Sequence, residues 1–249
     1  MPPGPRVTIS AMARPRIDPE HPDSPARAIA AAMAMLLRRR GYHGAGLNEV
    51  VAGSGAPRGS VYHHYPQGKD AIGAAAVRMV GSGVVHALGG GATRAAGRTP
   101  RAALGVIAAQ LSGWLQRSGF DEGCPVVGAA LALGPDTPLT REACAEAFAG
   151  WVDALAEVYR DGGIDASRAA PLARLSISAL EGAVALCRAQ RSIEPMQEVS
   201  AELGALLDAA STGTKSTVTA QAGTASAGGA STGTAPTAAA PRRVRRAGR

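Results

Sequence analysis

Apolar positions recur every three or four residues along most of the chain, which is the spacing of one face of an α-helix. The first clear case follows Ser24 and Pro25, a favourable N-cap and first helical position. Three arginines at 38–40 crowd its last turn, where cations suit the helix dipole, and Gly41 ends it. Ala28, Ile29, Ala32, Met35 and Leu36 follow Pro25 at helical spacing.

Two short helices are predicted directly after the first one. The apolar residues in 47–51 share one face of the second helix, and residues 54–55 form a turn. Residues 57–65 form the third helix, because Pro57 suits its start and the Pro-Gln-Gly sequence at 66–68 breaks it. A long fourth helix begins near Lys69.

The same spacing continues through the rest of the chain. Further helices are predicted at about 100–118, before Gly134-Pro135, from Thr137 or Thr140 to about Arg160, at 167–190 and from Pro195 to about 210. No segment alternates at period two, so the fold class is all-α with about nine helices. The predicted parts are a disordered leader (1–22), a three-helix unit (23–68), a helical body (69–210) and a disordered, basic-ended tail (211–249).

Composition supports this fold class and adds an uneven charge. Of the 249 residues, 46% are hydrophobic but only 3% aromatic, so the core must consist mainly of aliphatic side chains and alanine. The formal net charge of +7 divides into +4 (9 basic, 5 acidic) over 1–70, −3 (11 basic, 14 acidic) over 71–210 and +6 over 211–249. Basic ends on a slightly acidic body indicate contact with a polyanion.

Other classes of protein receive little support. The three scattered cysteines, Cys124, Cys144 and Cys187, form neither a disulfide framework nor a CxxC metal site. No unbroken apolar run approaches the ~18 residues of a membrane-spanning helix, and the first residues lack the apolar core of a signal peptide. We therefore expect a cytoplasmic protein without a membrane partner, cofactor or metal.

Two short helices joined by a glycine turn follow the helix-turn-helix plan, in which the second helix enters the major groove of DNA. In residues 57–65, Val61 and Tyr65 lie at i, i+4 and face inward, which leaves the opposite face outward. Lys69, at the next helix start, suits a phosphate. The predicted DNA contacts from residue 57 onward are Pro57, Arg58, Gly59, Ser60, Tyr62, His63 and Lys69.

Residues 41–72 resemble the DNA-binding signature of the TetR family of transcriptional regulators. The matching pieces include Arg58-Gly59, the Tyr-His-His-Tyr sequence at 62–65 and Lys69-Asp70. Together with GCPVVGAAL at 123–131 and RAQRSIEP at 188–195, the sequence resembles the LmrA/YxaF-like subgroup over residues 24–208. The family usually has Thr or Ser where this chain has Ala45-Gly46, so the chain lacks one hydroxyl contact to phosphate, and Asn48 is the side chain placed to replace it in part.

The resemblance implies a repressor that is not an enzyme. It further implies a homodimer formed by the helices at about 167–190 and 195–210, a palindromic double-stranded operator, and a small-molecule cavity in the body. A largely apolar or aromatic ligand fits the composition, since both Trp and both Phe lie in the body. The candidate ligand contacts are Gln110, Trp114, Phe120, Cys124, Phe148, Trp151 and Glu181.

Several of these residues have plainer interpretations. The four rings are as well explained by core packing, Glu181 by a solvent edge and Cys124 by a small buried hydrophobe. Two other functions stay open at this point. The basic tail favours a non-specific nucleic-acid-binding or scaffold protein, and Cys124 or the histidines would have to serve an enzyme.

Overall fold

The computed structural model describes residues 24–89 and 99–223, with side chains up to Ser211. The predicted leader (1–22), the break around residues 90–98 and the basic end of the tail lie outside these ranges. The described ranges contain nine helices and no strand, which confirms the predicted all-α class. The helices are α1 Pro25–Gly44, α2 Leu47–Ser54, α3 Arg58–His64, α4 Lys69–Gly89, α5 Pro100–Arg117, α6 Pro125–Ala130, α7 Pro138–Asp161, α8 Ala166–Gln190 and α9 Glu194–Gly223.

The first three helices pack around a small aliphatic core because each has one apolar face. Ile29 of α1, Val50 of α2 and Val61 of α3 are almost completely buried. Gly41 interrupts α1 with a φ of 68°, a left-handed conformation that suits glycine, and Gly55 makes the turn between α2 and α3 in the same way. The predicted breaks are therefore confirmed, although α1 resumes for a short stretch after Gly41.

Helix α4 joins this three-helix unit to the body and packs closely along α7. A Cβ atom at Gly81 would lie 2.9 Å from the Cβ of Ala147, so the glycine permits the close approach. The indole N–H of Trp151 donates a hydrogen bond to the backbone carbonyl of Gly81 at 3.1 Å. Helix α4 therefore runs without interruption from the three-helix unit into the body.

The remaining helices complete the body around α7. Thr137 is the N-cap of α7, one of the two predicted positions, but its hydroxyl bonds to Gly134 instead of capping the helix. The Tyr159 hydroxyl of α7 donates to Ser176 of α8 at 2.8 Å inside the core. Burial raises the pKa of Tyr159 to about 12, so its hydroxyl remains a hydrogen-bond donor.

The apolar residues of α8 and α9 divide between the core and the surface. Leu172, Leu180, Val184, Leu203 and Leu207 are buried within the chain. Leu175, Leu186 and Leu206 are 47%, 50% and 38% exposed. The two helices therefore contribute to the core of the body and also present leucines outward.

The last helix ends later than predicted. The sequence pattern placed its end at about residue 210 and a disordered tail after it, whereas α9 continues to Gly223. Residues 211–223 contain no proline, and the Ser211 hydroxyl donates back to the Leu207 carbonyl, so nothing stops the helix at residue 210. The chain divides into two compact units between Thr214 and Lys215. The other predicted domain boundaries stay predictions.

Two helices have the length and hydropathy of a membrane span, although no unbroken apolar run was found in the sequence. They are α4 and α8, and 39% of each apolar stretch is buried in the fold. Core helices of soluble proteins show the same composition. Polar residues such as Arg78 and His86 in α4 and Glu181 in α8 interrupt both stretches.

Candidate DNA-binding helix and ligand cavity

Helix α3 has one buried face and one open face, as its sequence predicted. Val61 is 2% exposed, and the partly buried Tyr65 donates its hydroxyl to the backbone carbonyl of Ala26 at 2.9 Å. On the other side, Tyr62 is 63% exposed, and a Cβ atom at Gly59 would meet nothing within 4 Å. The outward residues of the helix are Arg58, Gly59, Tyr62 and His63, with Ser60 half-buried and Pro57 exposed at the N-cap.

The structure brings two predicted DNA contacts together across the turn. The Arg58 guanidinium donates a hydrogen bond to Oδ1 of Asn48 at 2.9 Å, linking α3 to α2. Asn48, at the start of α2, is exposed and lies beside the open face of α3. Gly46 is the N-cap of α2 and supplies no capping side chain, which agrees with the departure noted in the sequence.

Lys69 occupies the first position of α4. Its Nζ lies 4.7 Å from the centre of the Tyr42 ring, a cation–π distance. Partial burial lowers the pKa of Lys69, and the nearby Asp136 carboxylate opposes that shift. The lysine is thus held against α1 at a helix N-terminus, where backbone N–H groups favour an anion.

The body contains a cavity of about 270 Å³. Five of the seven predicted ligand residues line it, namely Gln110, Trp114, Cys124, Trp151 and Glu181. Val80, Val84, Ile107 and Leu155 contribute aliphatic walls. The volume and apolar lining are close to those of small-molecule pockets.

Phe120 and Phe148 do not line this cavity. Phe120 closes the turn after α5, with a φ of 64° and its N–H bonded to the Leu115 carbonyl at 2.8 Å. Phe148 packs edge-to-face on Trp151 with 5.4 Å between ring centres, and it lines a neighbouring pocket. Residues 148 and 151 lie three positions apart on α7, so their side chains leave the helix in somewhat different directions and line different pockets.

Two polar groups of the cavity contact each other. The Cys124 thiol hydrogen-bonds the Glu181 carboxyl group, and burial raises the pKa of both residues. A thiol with a raised pKa is a poor nucleophile, because the thiolate is the reactive form. This environment favours Cys124 as a packed residue of the wall.

Sequence reasoning missed Arg38 as a cavity residue. Its guanidinium carbon lies 5.7 Å from the centre of the Trp114 ring, and the side chain lines the cavity from α1. The Trp114 indole N–H donates to the Glu122 carboxylate at 3.2 Å, which lies 4.0 Å from Arg38. The arginine run at 38–40 was explained by the helix dipole, and no sequence signal separated Arg38 from its two neighbours.

Asp70 connects the start of α4 to the start of α7. Its carboxylate accepts hydrogen bonds from the backbone N–H groups of Leu139 and Thr140, each at 2.9 Å, and from the Thr140 hydroxyl at 2.6 Å. A side chain of the predicted DNA-binding signature thus caps a helix of the body, next to Lys69, a predicted DNA contact. Helix α7 in turn lines the cavity through Trp151 and Leu155.

The neighbouring histidines of α3 do not assemble a metal site within the described chain. The His63 and His64 rings lie 5.1 Å apart and nearly perpendicular. No group of three or more His, Cys, Asp or Glu residues with ligand geometry occurs among the described residues. His63 is exposed and His64 half-buried, as expected for a helix that presents only one side.

Helix α3 is short, has one open face and follows a glycine turn. The long helix α4 joins it to a body with a ligand-sized cavity. Together these features define a helix-turn-helix regulator of transcription. A model of the tetR family of bacterial regulatory proteins matches residues 29–76. A model of the LmrA/YxaF-like C-terminal domain matches residues 100–202. The chain belongs to the TetR family and has the C-terminal domain of the LmrA/YxaF-like regulators.

Individual relatives agree with this assignment. An uncharacterized HTH-type transcriptional regulator of Mycobacterium tuberculosis is 31% identical over 182 residues, which are 70% of this chain and 89% of the relative. LmrA of Bacillus subtilis, an HTH-type transcriptional regulator, is 29% identical over 179 residues, covering 72% and 94%. The crystal structure of a TetR regulatory protein from Rhodobacter sphaeroides shares the fold, with a TM-score of 0.60, 22% identity and coverage of 72% and 96%. The chain is therefore a DNA-binding transcriptional regulator, and members of its family are typically dimeric.

Proposed function

We propose that this regulator is a cytoplasmic repressor that binds a palindromic operator as a homodimer and releases it when a small, mostly apolar molecule enters the cavity of the body. The open face of α3 carries this proposal, because it offers an arginine and hydrogen-bonding side chains on a helix short enough for the major groove. Arg58 would read guanine, while Ser60, Tyr62 and His63 contact bases or phosphates. Lys69 would bind phosphate at the start of α4.

The exposed leucines of α8 and α9 support a dimer through these helices. Leu175, Gly182 and Leu186 follow one another along the exposed face of α8 at helical spacing, with only small or polar residues between them on that face. Leu206 on α9 adds a further exposed apolar side chain. A two-fold dimer of this kind would place two α3 helices in successive major grooves.

Two observations favour a regulator over the alternatives. The burial that raises the pKa of Cys124 opposes its use as a catalytic nucleophile. Helix α3 is folded and carries the DNA-binding signature. It therefore favours specific operator binding over non-specific attraction of nucleic acid to the basic tail. A chain that ends at residue 223, which keeps α9 whole and removes the five arginines of residues 242–249, separates the last two possibilities. Specific operator binding should survive this truncation, and tail-driven binding should not.

The deciding experiment selects bound sequences from random duplex DNA and measures the affinity of variants for the selected site. Arg58→Ala should lose about 1–3 kcal/mol of preference for that site, since a bidentate base contact has this magnitude. Lys69→Ala should weaken binding to all sequences alike and reduce the salt dependence. Arg117→Ala, an exposed arginine of the body, is the matched control. Recovery of no palindromic sequence, or an Arg58→Ala protein with unchanged preference, would contradict the proposal.

A further inference from the structure

Two buried guanidinium nitrogens without a hydrogen-bond partner lie beside the same groove. In the described chain, three buried side-chain polar atoms are unpartnered, and two of them are Nε of Arg38 and Nε of Arg188. Both arginines line a groove of about 400 Å³ between α1, α6 and α8. Gly123 lies between them, since its N–H bonds to the Arg38 carbonyl and a Cβ atom there would lie 2.7 Å from the Arg188 side chain. Buried donors of this kind normally have a partner.

The groove and the apolar cavity share part of their walls. Arg38, Cys124 and Glu181 line both. The two segments that resembled the LmrA/YxaF-like subgroup, 123–131 and 188–195, also meet at this groove through residues such as Gly123 and Arg188. The cavity therefore has a polar region at one end, next to the guanidinium groups of Arg38 and Arg188.

The charge of the groove favours an anion. Four arginines line it, against a single carboxyl group, that of Glu181. Arg40 pairs with Glu49, and Arg39 and Arg38 share the Glu122 carboxylate at 3.1 and 4.0 Å, so these three charges are partly neutralised. Arg188, by contrast, donates only to the backbone carbonyl of Asp121 at 3.3 Å among the described residues. Burial raises the pKa of Glu181, which favours its neutral form and reduces its repulsion of an anion.

The geometry points to an amphipathic organic acid as the ligand, with its apolar body in the cavity and its carboxylate between Arg38 and Arg188. A carboxylate accepts charge-assisted hydrogen bonds from guanidinium N–H groups in a planar arrangement. Both Nε atoms are buried, so they would become its partners only when the two arginine side chains turn toward the groove. The aliphatic walls and the ring of Trp114 would surround the rest of the molecule. This inference rests on the proposed ligand-responsive function and specifies the chemical class of the ligand.

The test compares two probes of equal shape, octanoate and its neutral amide octanamide. Trp114 and Trp151 are the only tryptophans of the chain and both line the cavity, so their fluorescence reports occupancy directly. The wild-type protein should bind octanoate about tenfold or more tightly than octanamide, because charge-assisted hydrogen bonds exceed neutral ones. Arg38→Gln and Arg188→Gln should each remove most of this difference, because they weaken octanoate binding far more than octanamide binding.

Three controls keep the result interpretable. Arg191→Gln removes an exposed arginine of the same segment that pairs with Asp121 and lines neither space, so both affinities should stay as in wild type. Arg188→Lys keeps the charge and should retain part of the preference for octanoate. Thermal unfolding followed by circular dichroism establishes that each variant is folded.

The outcomes separate this inference from the proposed function. Equal binding of the two probes by wild type, no saturable binding of either, or an unchanged preference in folded Arg188→Gln overturns the assignment of an acid. Binding of ligand-free protein to its selected operator is measured on the same preparations. Intact operator binding together with any of those results overturns the ligand class alone, whereas loss of specific DNA binding in wild type overturns the proposed function.

Discussion

The carboxylate of Asp70 holds the DNA-binding unit to the body, and its removal should weaken both the fold and the ligand response. It receives three hydrogen bonds from Leu139 and Thr140, in a partly buried position. In Asp70→Ala these donors at the start of α7 lose the carboxylate, and only the Thr140 hydroxyl keeps an acceptor, the Asp70 backbone carbonyl at 3.1 Å. Two of them are backbone N–H groups that no intrahelical carbonyl can satisfy.

The expected loss of unfolding free energy is about 2–4 kcal/mol. Removal of a helix cap alone costs about 0.5–2 kcal/mol, and a hydrogen bond to a charged group contributes about 1.5–3 kcal/mol. The lower part of the combined range applies because water reaches some of the freed groups. Thr140→Val removes only the hydroxyl and should cost about 1 kcal/mol.

Asp165→Ala is the matched control in urea denaturation. Asp165 caps α8 by accepting the Ser167 N–H at 2.8 Å, but it is exposed, and among the described residues its side chain bonds only to Ser167, in the first turn of the same helix. Its loss should cost about 1 kcal/mol, the typical value for an exposed cap. In folded protein, Asp70→Ala should also reduce the effect of ligand on operator affinity, whereas Asp165→Ala should not. If Asp70→Ala destabilises the protein no more than Asp165→Ala does, the hydrogen bonds between Asp70 and the start of α7 do not provide the expected stabilisation.

Two further predictions concern the cavity wall and its packing. Burial raises the pKa of Glu181 above its ordinary value near 4.5, so charging this group opposes folding. Glu181→Gln should therefore match wild type below about pH 4.5 and exceed it in stability as the pH rises through the folded-state pKa; a gap that widens toward acid pH in denaturation curves would contradict this. Gly128→Ala should lower the free energy of unfolding by about 1–3 kcal/mol, because its Cβ would lie 2.9 Å from the Leu37 backbone carbonyl. Gly105→Ala, with nothing within 4 Å, should raise it by up to about 1 kcal/mol. Similar denaturation midpoints for the two variants would refute the contact.

Local pattern was sufficient to predict the helices and the orientation of α3. Val61 and Tyr65 lie one turn apart, so burying one face necessarily exposes Arg58 and Tyr62 on the other. Glycines at 41 and 55 marked real breaks because both adopt left-handed backbone angles. These signals depend on neighbours within a few residues, which is the range over which a single sequence is informative.

Contacts between distant segments were not predictable in this way. Asp70 and Thr140 are separated by 70 residues, and nothing in either segment indicates the other. Arg38 stands in a run of three arginines, and its position in the cavity follows from how α1 packs on α6. Phe148 was grouped with Trp151 because both Trp and both Phe of the chain lie in the body, whereas the two side chains leave α7 in different directions and line different pockets.

Two structural connections link the cavity to the reading helix, and they differ in directness. One runs through α7, the Asp70 carboxylate and α4. The other is Arg38 itself, whose side chain lines the cavity while its helix, α1, packs against α2 and α3. The Gly123 N–H also bonds to the Arg38 carbonyl at 2.8 Å, so the wall that begins at Cys124 is anchored on the same residue.

An acid bound by Arg38 would therefore contact the DNA-binding unit directly, without an intervening helix. A ligand weakens operator binding only by the ratio of its affinities for the DNA-competent and DNA-incompetent forms. By linkage, operator DNA must weaken ligand binding by the same factor. If Arg38 carries this coupling, operator DNA should lower the affinity for the acid more than for its neutral amide, because only the acid draws on the guanidinium. If the joint at Asp70 carries it, the two affinities should fall by the same factor.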